Sequence, residues 1–219
     1  TQNNEGESFY DRYDRTTSLI SYWLNGQPTL EENNHMTNPF YVYFFRRLFM
    51  QPDDYYGTNG NIFTRPRKHL YRMLGVEYIF SDDETLSNQV TELVLNEERF
   101  FLHRNSDFNS GQFSPSEIQY VSDAGQAIGM LDDSSFDPTR TALIHMQEER
   151  LISQYQLTPA QYGYITYENN RVIFEGNSEG TSLNILPLLF SNCLVSGDGY
   201  RLVRANLILT GIIFEKTIS

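Results

Sequence analysis

Cysteine is almost absent from this chain. Cys193 stands alone, so no intrachain disulfide can form and a disulfide-stapled scaffold is excluded, although an extracellular home is not. Long apolar runs are absent too: no stretch of about 18 apolar residues occurs, so nothing in the chain spans a membrane by itself. The opening TQNNEGESFY lacks the basic start and apolar middle of a signal peptide, and Thr1 in place of an initiator methionine reads as an excised or processed piece. Basic residues are scarce, with Lys plus Arg at 16 against Asp plus Glu at 28 and a formal net charge of -12. That balance argues against nucleic acid or an anionic bilayer as the main partner, because both are bound through basic patches that neutralise phosphates. No internal repeat and no low-complexity tract is found.

Aromatic residues are what the chain has in abundance. Fifteen tyrosines, fifteen phenylalanines and one tryptophan exceed what a minimal core needs, and a tyrosine packs its ring while keeping its hydroxyl wet. With 219 residues, one large domain or two small subdomains can bury a real core. The pattern predicts an α+β chain: a helical N-terminal part with a small mixed sheet over 1–150, then an antiparallel β-sandwich or jelly-roll-like part over 151–219.

Local signals place the elements. NPFYVYFFRRLFM (38–50) is an apolar run of helix length that starts at Asn-Pro and ends before Pro52, with Arg46 and Arg47 late, where they suit the helix dipole. RPRKHLYRMLGVEYIF (65–80) reads as a helix stopped at Gly75 and followed by a strand from Val76 to Phe80. Ser81 with Glu84 matches a capping box, and strands are expected over Thr91–Leu95 and Arg99–His103. Ser114, Pro115 and Glu117 predict a helix from 114 to 131, followed by a strand over Thr141–Met146. Near the end, Asp198-Gly199 predicts a two-residue hairpin turn between apolar strands at Leu186–Val195 and Tyr200–Phe214.

The candidate chemistry is thin. GNSEG (176–180) matches the G-x-S-x-G nucleophile elbow, yet no helix pattern follows Ser178 and no histidine lies downstream, so the stretch reads as a two-glycine hairpin turn. NSDFNSG (105–111) alternates oxygen side chains as a calcium loop does, but its glycine comes one place late and Ser116 stands where a bidentate glutamate is needed, so it reads as an Asx-rich loop. His35, His69, His103 and His145 are spread singly, each expected at the surface or core margin, and no metal-ligand spacing occurs. The acid pairs Asp53-Asp54, Asp82-Asp83, Asp132-Asp133 and Glu148-Glu149 read as caps and solvated faces, and Arg65, Arg67, Lys68 and Arg72 as a solvated helix face or a local basic one. No catalytic residue, metal or cofactor is therefore expected. The candidate ligand residues are aromatic: Tyr22 and Trp23 in LISYWLNGQ, and Tyr55 and Tyr56 before GTNGN, because ring faces next to Asn and Asp suit sugars.

Several segments, in order, resemble the YfhO-like bacterial multi-pass membrane proteins, which are similar to C-type glycosyltransferases. FYDRYD (9–14) resembles the Phe-Tyr-Arg opening of that family's soluble region, and HLYRMLGVEYIFS (69–81) its Leu-Gly-Val-Lys-Tyr-Ile strand, with Glu77 where lysine is usual. SSFDPTRTALI (134–144) resembles its Phe-Asp-Pro-x-Arg-Thr segment, and LNILPLLFSNCLVSGDGYRLVRANLILTGIIFEK (183–216) its closing hairpin, with SNCLVSGDG in place of the family's Gly-Trp before the turn. The resemblance implies a large extracytoplasmic domain attached to the transmembrane part of the same polypeptide. It implies a parent that uses a polyprenyl-phosphate sugar, with catalysis outside this chain, and as partner a cell-surface glycan or teichoic-acid-type polymer, but no nucleic acid. The alternative is an independent secreted carbohydrate-binding or adhesion module.

Overall fold

The computed structural model describes residues 38–52, 54, 56–57, 60–61, 64–81, 86, 91–97, 100–168, 171–197 and 199–218. Helix α1 (Pro39–Leu48) begins where the sequence says it should. The Asn38 carboxamide accepts the Phe40 amide at 2.9 Å, and Pro39 sits in the first turn, where its missing N–H costs nothing. Tyr41, Phe44, Phe45 and Leu48 recur on one face and are buried, and the Phe45 ring stacks on Phe49 at 5.3 Å. Two short strands, β1 (Tyr56–Gly57) and β2 (Gly60–Asn61), pair antiparallel after it.

Helix α2 (Lys68–Met73) stops as expected at Gly75, whose φ of +75° is left-handed. Space demands glycine there as well: a Cβ would lie 2.6 Å from Pro187 Cβ and 2.8 Å from the Asn109 carbonyl. Strands β3 (Tyr78–Ser81), β4 (Glu92–Glu97) and β5 (Phe100–Arg104) then form an antiparallel sheet in the order β3-β5-β4.

The larger sheet has six strands. It takes β6 (Glu117–Val121) and β7 (Thr141–His145), joined in parallel through α3 (Ala124–Asp132). After the short helix α4 (Glu149–Ile152) come β8 (Tyr162–Glu168), β9 (Arg171–Leu189), β10 (Arg201–Ala205) and β11 (Leu209–Ile218), giving the order β6-β7-β10-β11-β9-β8. Among the described residues the chain is thus α+β, with a mixed six-stranded sheet, two small antiparallel ones and few helices. The six-stranded sheet draws strands from both sides of residue 150, and one core cluster runs from Tyr41 to Ile213.

Three expectations fail, each for a physical reason. The helix expected from Ser114 begins instead at Ala124, capped by Asp123, whose carboxylate accepts the Gln126 amide at 2.9 Å. Ser114 is used in tertiary contacts: its hydroxyl donates to the Leu183 carbonyl and accepts the Ala160 amide, while Glu117–Val121 alternates exposed and inward residues as a strand does. The Asp198-Gly199 hairpin is not the one that forms. Gly199 is left-handed at +74°, but β9 ends at Leu189 and pairs with β11, not with β10.

The hairpin lies within the stretch read as one strand: β10 and β11 pair around Asn206, Leu207 and Ile208, with positive φ at Asn206 and Leu207. Asn206 is fully buried, and it completes the sheet by exchanging hydrogen bonds with Leu143 through its backbone N–H and its side-chain oxygen, each at 2.9 Å. Third, GNSEG is not a hairpin turn: it lies within β9, where the pairing with β11 shifts register between Asn177 and Thr181.

A loop stands in where β8 runs out. Strand β8 pairs only with residues 171–177 of β9, and beyond it residues 109–114 lie along β9 as an irregular neighbour. The Phe113 carbonyl accepts the Ile185 amide, the Asn109 carboxamide donates to the Ile185 carbonyl at 2.7 Å, and the Asn184 carboxamide donates to Gly111. The same loop caps the outer edge of β8, where the Ser110 carbonyl accepts the Ile165 amide. A second small core of Ile165, Phe174, Leu186, Ile212 and Phe214 fills the face of β8, β9 and β11 away from the helices, with Phe174 and Phe214 edge to face at 5.5 Å.

Candidate functional site

The β8–β9 hairpin separates its side chains by parity. Gly163 and Ile165 turn inward with Phe174, Gly176 and Ser178, while Tyr162, Tyr164 and Thr166 turn outward. Tyr162 and Tyr164 are 50% and 47% exposed, large values for rings held in a strand. Two residues along a strand advance about 7 Å, so the two rings form a short aromatic ladder.

Opposite them on β9 stand Asn177 and Glu175, directly across the register. The Asn177 amide donates to Gln161, Gln161 donates to Glu179 at 2.7 Å, and the Thr217 hydroxyl donates to Asn177 at 3.1 Å. A chain of amide, carboxylate and hydroxyl groups therefore runs beside the rings. Glu175, Glu179 and Glu168 make the face acidic, with Arg171 as its cation, ion-paired to Glu168. Such a face can stack on the C–H surface of a pyranose while amides and carboxylates take its hydroxyls. Tyr167 has the opposite parity: its hydroxyl donates to the Pro187 carbonyl at 3.0 Å, and burial pushes its pKa up.

The residues singled out from sequence fare differently. Tyr22, Trp23 and Tyr55 lie outside the described residues, as do His35, Asp53, Asp82, Asp83 and Glu84; Tyr56 is described only as a backbone position of β1. Ser178 is buried, with its hydroxyl 2.6 Å from that of Ser182, which in turn donates to the Thr158 carbonyl. It sits mid-strand rather than on a strand-to-helix turn, so it is not a nucleophile elbow.

In the 105–111 loop, Asn105 and Asn109 are buried and spend their amides on the carbonyls of Val76 and Ile185, which leaves Asx-turn geometry rather than a ligand shell. His103, expected at a margin, is fully buried on β5, beside Leu93 and Ile79 in the register. His69 shares a hydrogen bond with the Leu131 carbonyl, and His145 accepts the Gln147 amide. Among the described residues, no group of three or more His, Cys, Asp or Glu converges.

Of the described acids and arginines, five are tied into structural contacts. Asp132 receives both Arg65 and Arg67, Asp54 accepts the Gln51 amide and the Thr64 hydroxyl, and Asp133 caps Ser135. At the carboxyl end of the parallel pair, where α/β sheets often bind ligands, the Asp123 and Gln126 side chains occupy the backbone N–H groups of Gln126 and Ser122. Beside them, burial raises the Glu148 pKa against the opposing pull of Arg204.

Sequence reasoning missed Tyr162 and Tyr164. The available signal was YGYITYE itself, in which tyrosines at one parity face Gly and Ile at the other.

The chain matches no family model, no curated protein and no solved structure. The β8–β9 face therefore stands on its own chemistry.

Proposed function

We propose that this chain is the extracytoplasmic domain of a membrane-embedded glycosyltransferase-like protein, and that it holds a segment of cell-surface glycan on the Tyr162/Tyr164 face. The observation that carries the reading is the pairing of two half-exposed rings with a continuous line of amide, hydroxyl and carboxylate groups. The resemblance of the sequence to YfhO-like proteins supplies the membrane context. The acid flank favours an uncharged glycan over a teichoic-acid-type polyanion, because Glu168, Glu175 and Glu179 repel phosphate. The C-terminal strands, with their own small core, are read as a sandwich-like support for that face. Catalysis is assigned to parts of the parent outside this chain, with a polyprenyl-phosphate sugar as donor.

A glycan array followed by calorimetric titration of the best neutral oligosaccharide tests the reading. Tyr162→Ala and Tyr164→Ala each remove about 1 kcal/mol of ring contact and weaken binding about five-fold, with the melting temperature unchanged. Binding that survives the double variant would refute the site. The independent secreted module needs only the same face, and it is separated from the first reading by hydropathy. Apolar segments of about 20 residues flanking this region in the parent reading frame support the membrane protein, and a short parent without them supports the secreted module.

A further inference from the structure

A buried polar atom without a hydrogen-bond partner is costly, so one that persists calls for an explanation. Two lie in the second small core: among the described residues, Oδ1 of Asn184 and Oγ1 of Thr210 have no hydrogen-bond partner, and the two residues are 0% and 1% exposed.

Both atoms belong to one place. On the adjacent strands β9 and β11, Asn184 pairs with Ile212 and Leu186 with Thr210, so Asn184 and Thr210 are diagonal neighbours. The other two corners, Leu186 and Ile212, are members of the second small core. Gly211 faces the opposite way, since a Cβ there would meet Leu183 and Val203 of the main core. Diagonal residues on one face sit about 7–8 Å apart, a gap that side chains of this length narrow to the span of about two hydrogen bonds. The Asn184 amide is not free to swing across it, because its nitrogen donates to the Gly111 carbonyl at 2.7 Å.

The ladder is interrupted at the same point. Pairing slips between Thr210 with Leu186 and Leu209 with Leu189, so Pro187 and Leu188 have no cross-strand partner on β11. Such a slip leaves backbone groups outside the ladder. Proline has no N–H, and the Pro187 carbonyl is taken by the Tyr167 hydroxyl at 3.0 Å. Leu188 packs partly buried against the same small core.

We infer that Asn184 and Thr210 hold one ordered water molecule inside the second core. The water donates to Asn184 Oδ1, bonds the Thr210 hydroxyl, and takes a backbone group of the slipped 187–188 segment as its third partner, the usual complement of an internal water. One neutral acceptor and one hydroxyl suit a neutral molecule that both donates and accepts, whereas a hard cation collects six or more oxygens. Space on this face also favours the smallest ligand. A Cβ at Gly163 would lie 2.4 Å from the Asn184 amide nitrogen, and one at Gly176 would lie 2.9 Å from the Phe174 and Phe214 rings. The inference needs neither the glycan reading nor the membrane reading.

Water relaxation dispersion by NMR on the full chain counts long-lived internal waters, and a high-resolution crystal structure locates them. Thr210→Val keeps the side-chain shape and removes the hydroxyl. The count is expected to fall by one, and the melting midpoint by about 2–4 °C. Thr210→Ser, which keeps the hydroxyl, should retain the water.

A valine variant as stable as the wild type or more so would overturn the inference, because exchanging an unpaired hydroxyl for a methyl group brings relief and not loss. An unchanged water count in that variant would overturn it too. If the valine variant does not fold, the wild-type crystal structure decides: a water between the two oxygens upholds the site, and a direct bond between Asn184 and Thr210, or no water there, overturns it.

Discussion

Asn109 joins the loop over residues 109–114 to both neighbouring elements, and its removal has a calculable cost. The side chain is 1% exposed. Its amide donates to Ile185 at 2.7 Å and, more weakly, to Met73 at 3.4 Å; its oxygen accepts the Gly111 amide at 2.9 Å and the Phe113 amide at 3.4 Å. Asn109→Ala leaves the Ile185 carbonyl and the Gly111 amide without these partners in an environment that water does not reach. Each such loss costs about 1–3 kcal/mol, so about 3 kcal/mol is expected in total. For a chain of this size the midpoint falls about 2–4 °C per kcal/mol, or about 6–12 °C.

Asn109→Asp sharpens the test, because it keeps the acceptor for Gly111 but turns a carboxylate toward the Ile185 carbonyl. At neutral pH it should be worse than alanine. As the pH is lowered it should recover, because a protonated carboxyl can donate where the amide did. Urea unfolding of the three proteins at two pH values provides the measurement. An alanine variant that loses less than about 1 kcal/mol would refute the claim that this side chain closes the edge of the sheet.

Two further outcomes follow from the same geometry. Gly163→Ala brings a Cβ within 2.4 Å of the Asn184 amide nitrogen and 2.5 Å of the Gly111 carbonyl, so it should cost about 1–3 kcal/mol; Gly197→Ala, with open space around it, should cost a few tenths at most, and thermal melts compare the two. For acid sensitivity, Asp123 is held below its ordinary 3.8 first by the Gln126 amide and then by the Ser122 hydroxyl, and Asp133 by the amide and hydroxyl of Ser135. Lowered carboxylate pKa values stabilise the fold above that ordinary value and lose the effect as pH falls through the depressed ones, so thermal midpoints should decline below about pH 4 and Asp123→Asn should flatten the decline.

Legibility in the sequence followed the range of the interaction. The start of α1 at Asn38-Pro39, the stop of α2 at Gly75 and the strands at 92–97, 100–104 and 141–145 rest on neighbours within a few residues, and the sequence shows them. The Ser-Pro-x-Glu signal at 114 was locally sound, but the Ser114 hydroxyl found two partners more than 40 residues away, and the true cap moved to Asp123. The Asp-Gly pair at 198–199 likewise lost to Asn206, a residue whose left-handed turn is stabilised by the Leu143 backbone of a distant strand. The candidate glycan face was half legible, since YGYITYE shows the alternation but not which parity would be covered.

What the sequence determined by itself was the α+β composition, the absence of a disulfide framework, the capped ends of α1 and α2, and the alternation that makes β8 two-faced. Only the tertiary structure decided that β9 would lie between β8 and β11, that Asn109 and Phe113 would serve as its neighbours where β8 ends, and that Tyr162 and Tyr164 would stay in water. The physical reason is that caps, turns and periodicity are settled within a few residues. Strand order and the choice of buried face depend instead on which distant backbone groups and apolar surfaces meet, and no local pattern carries that information.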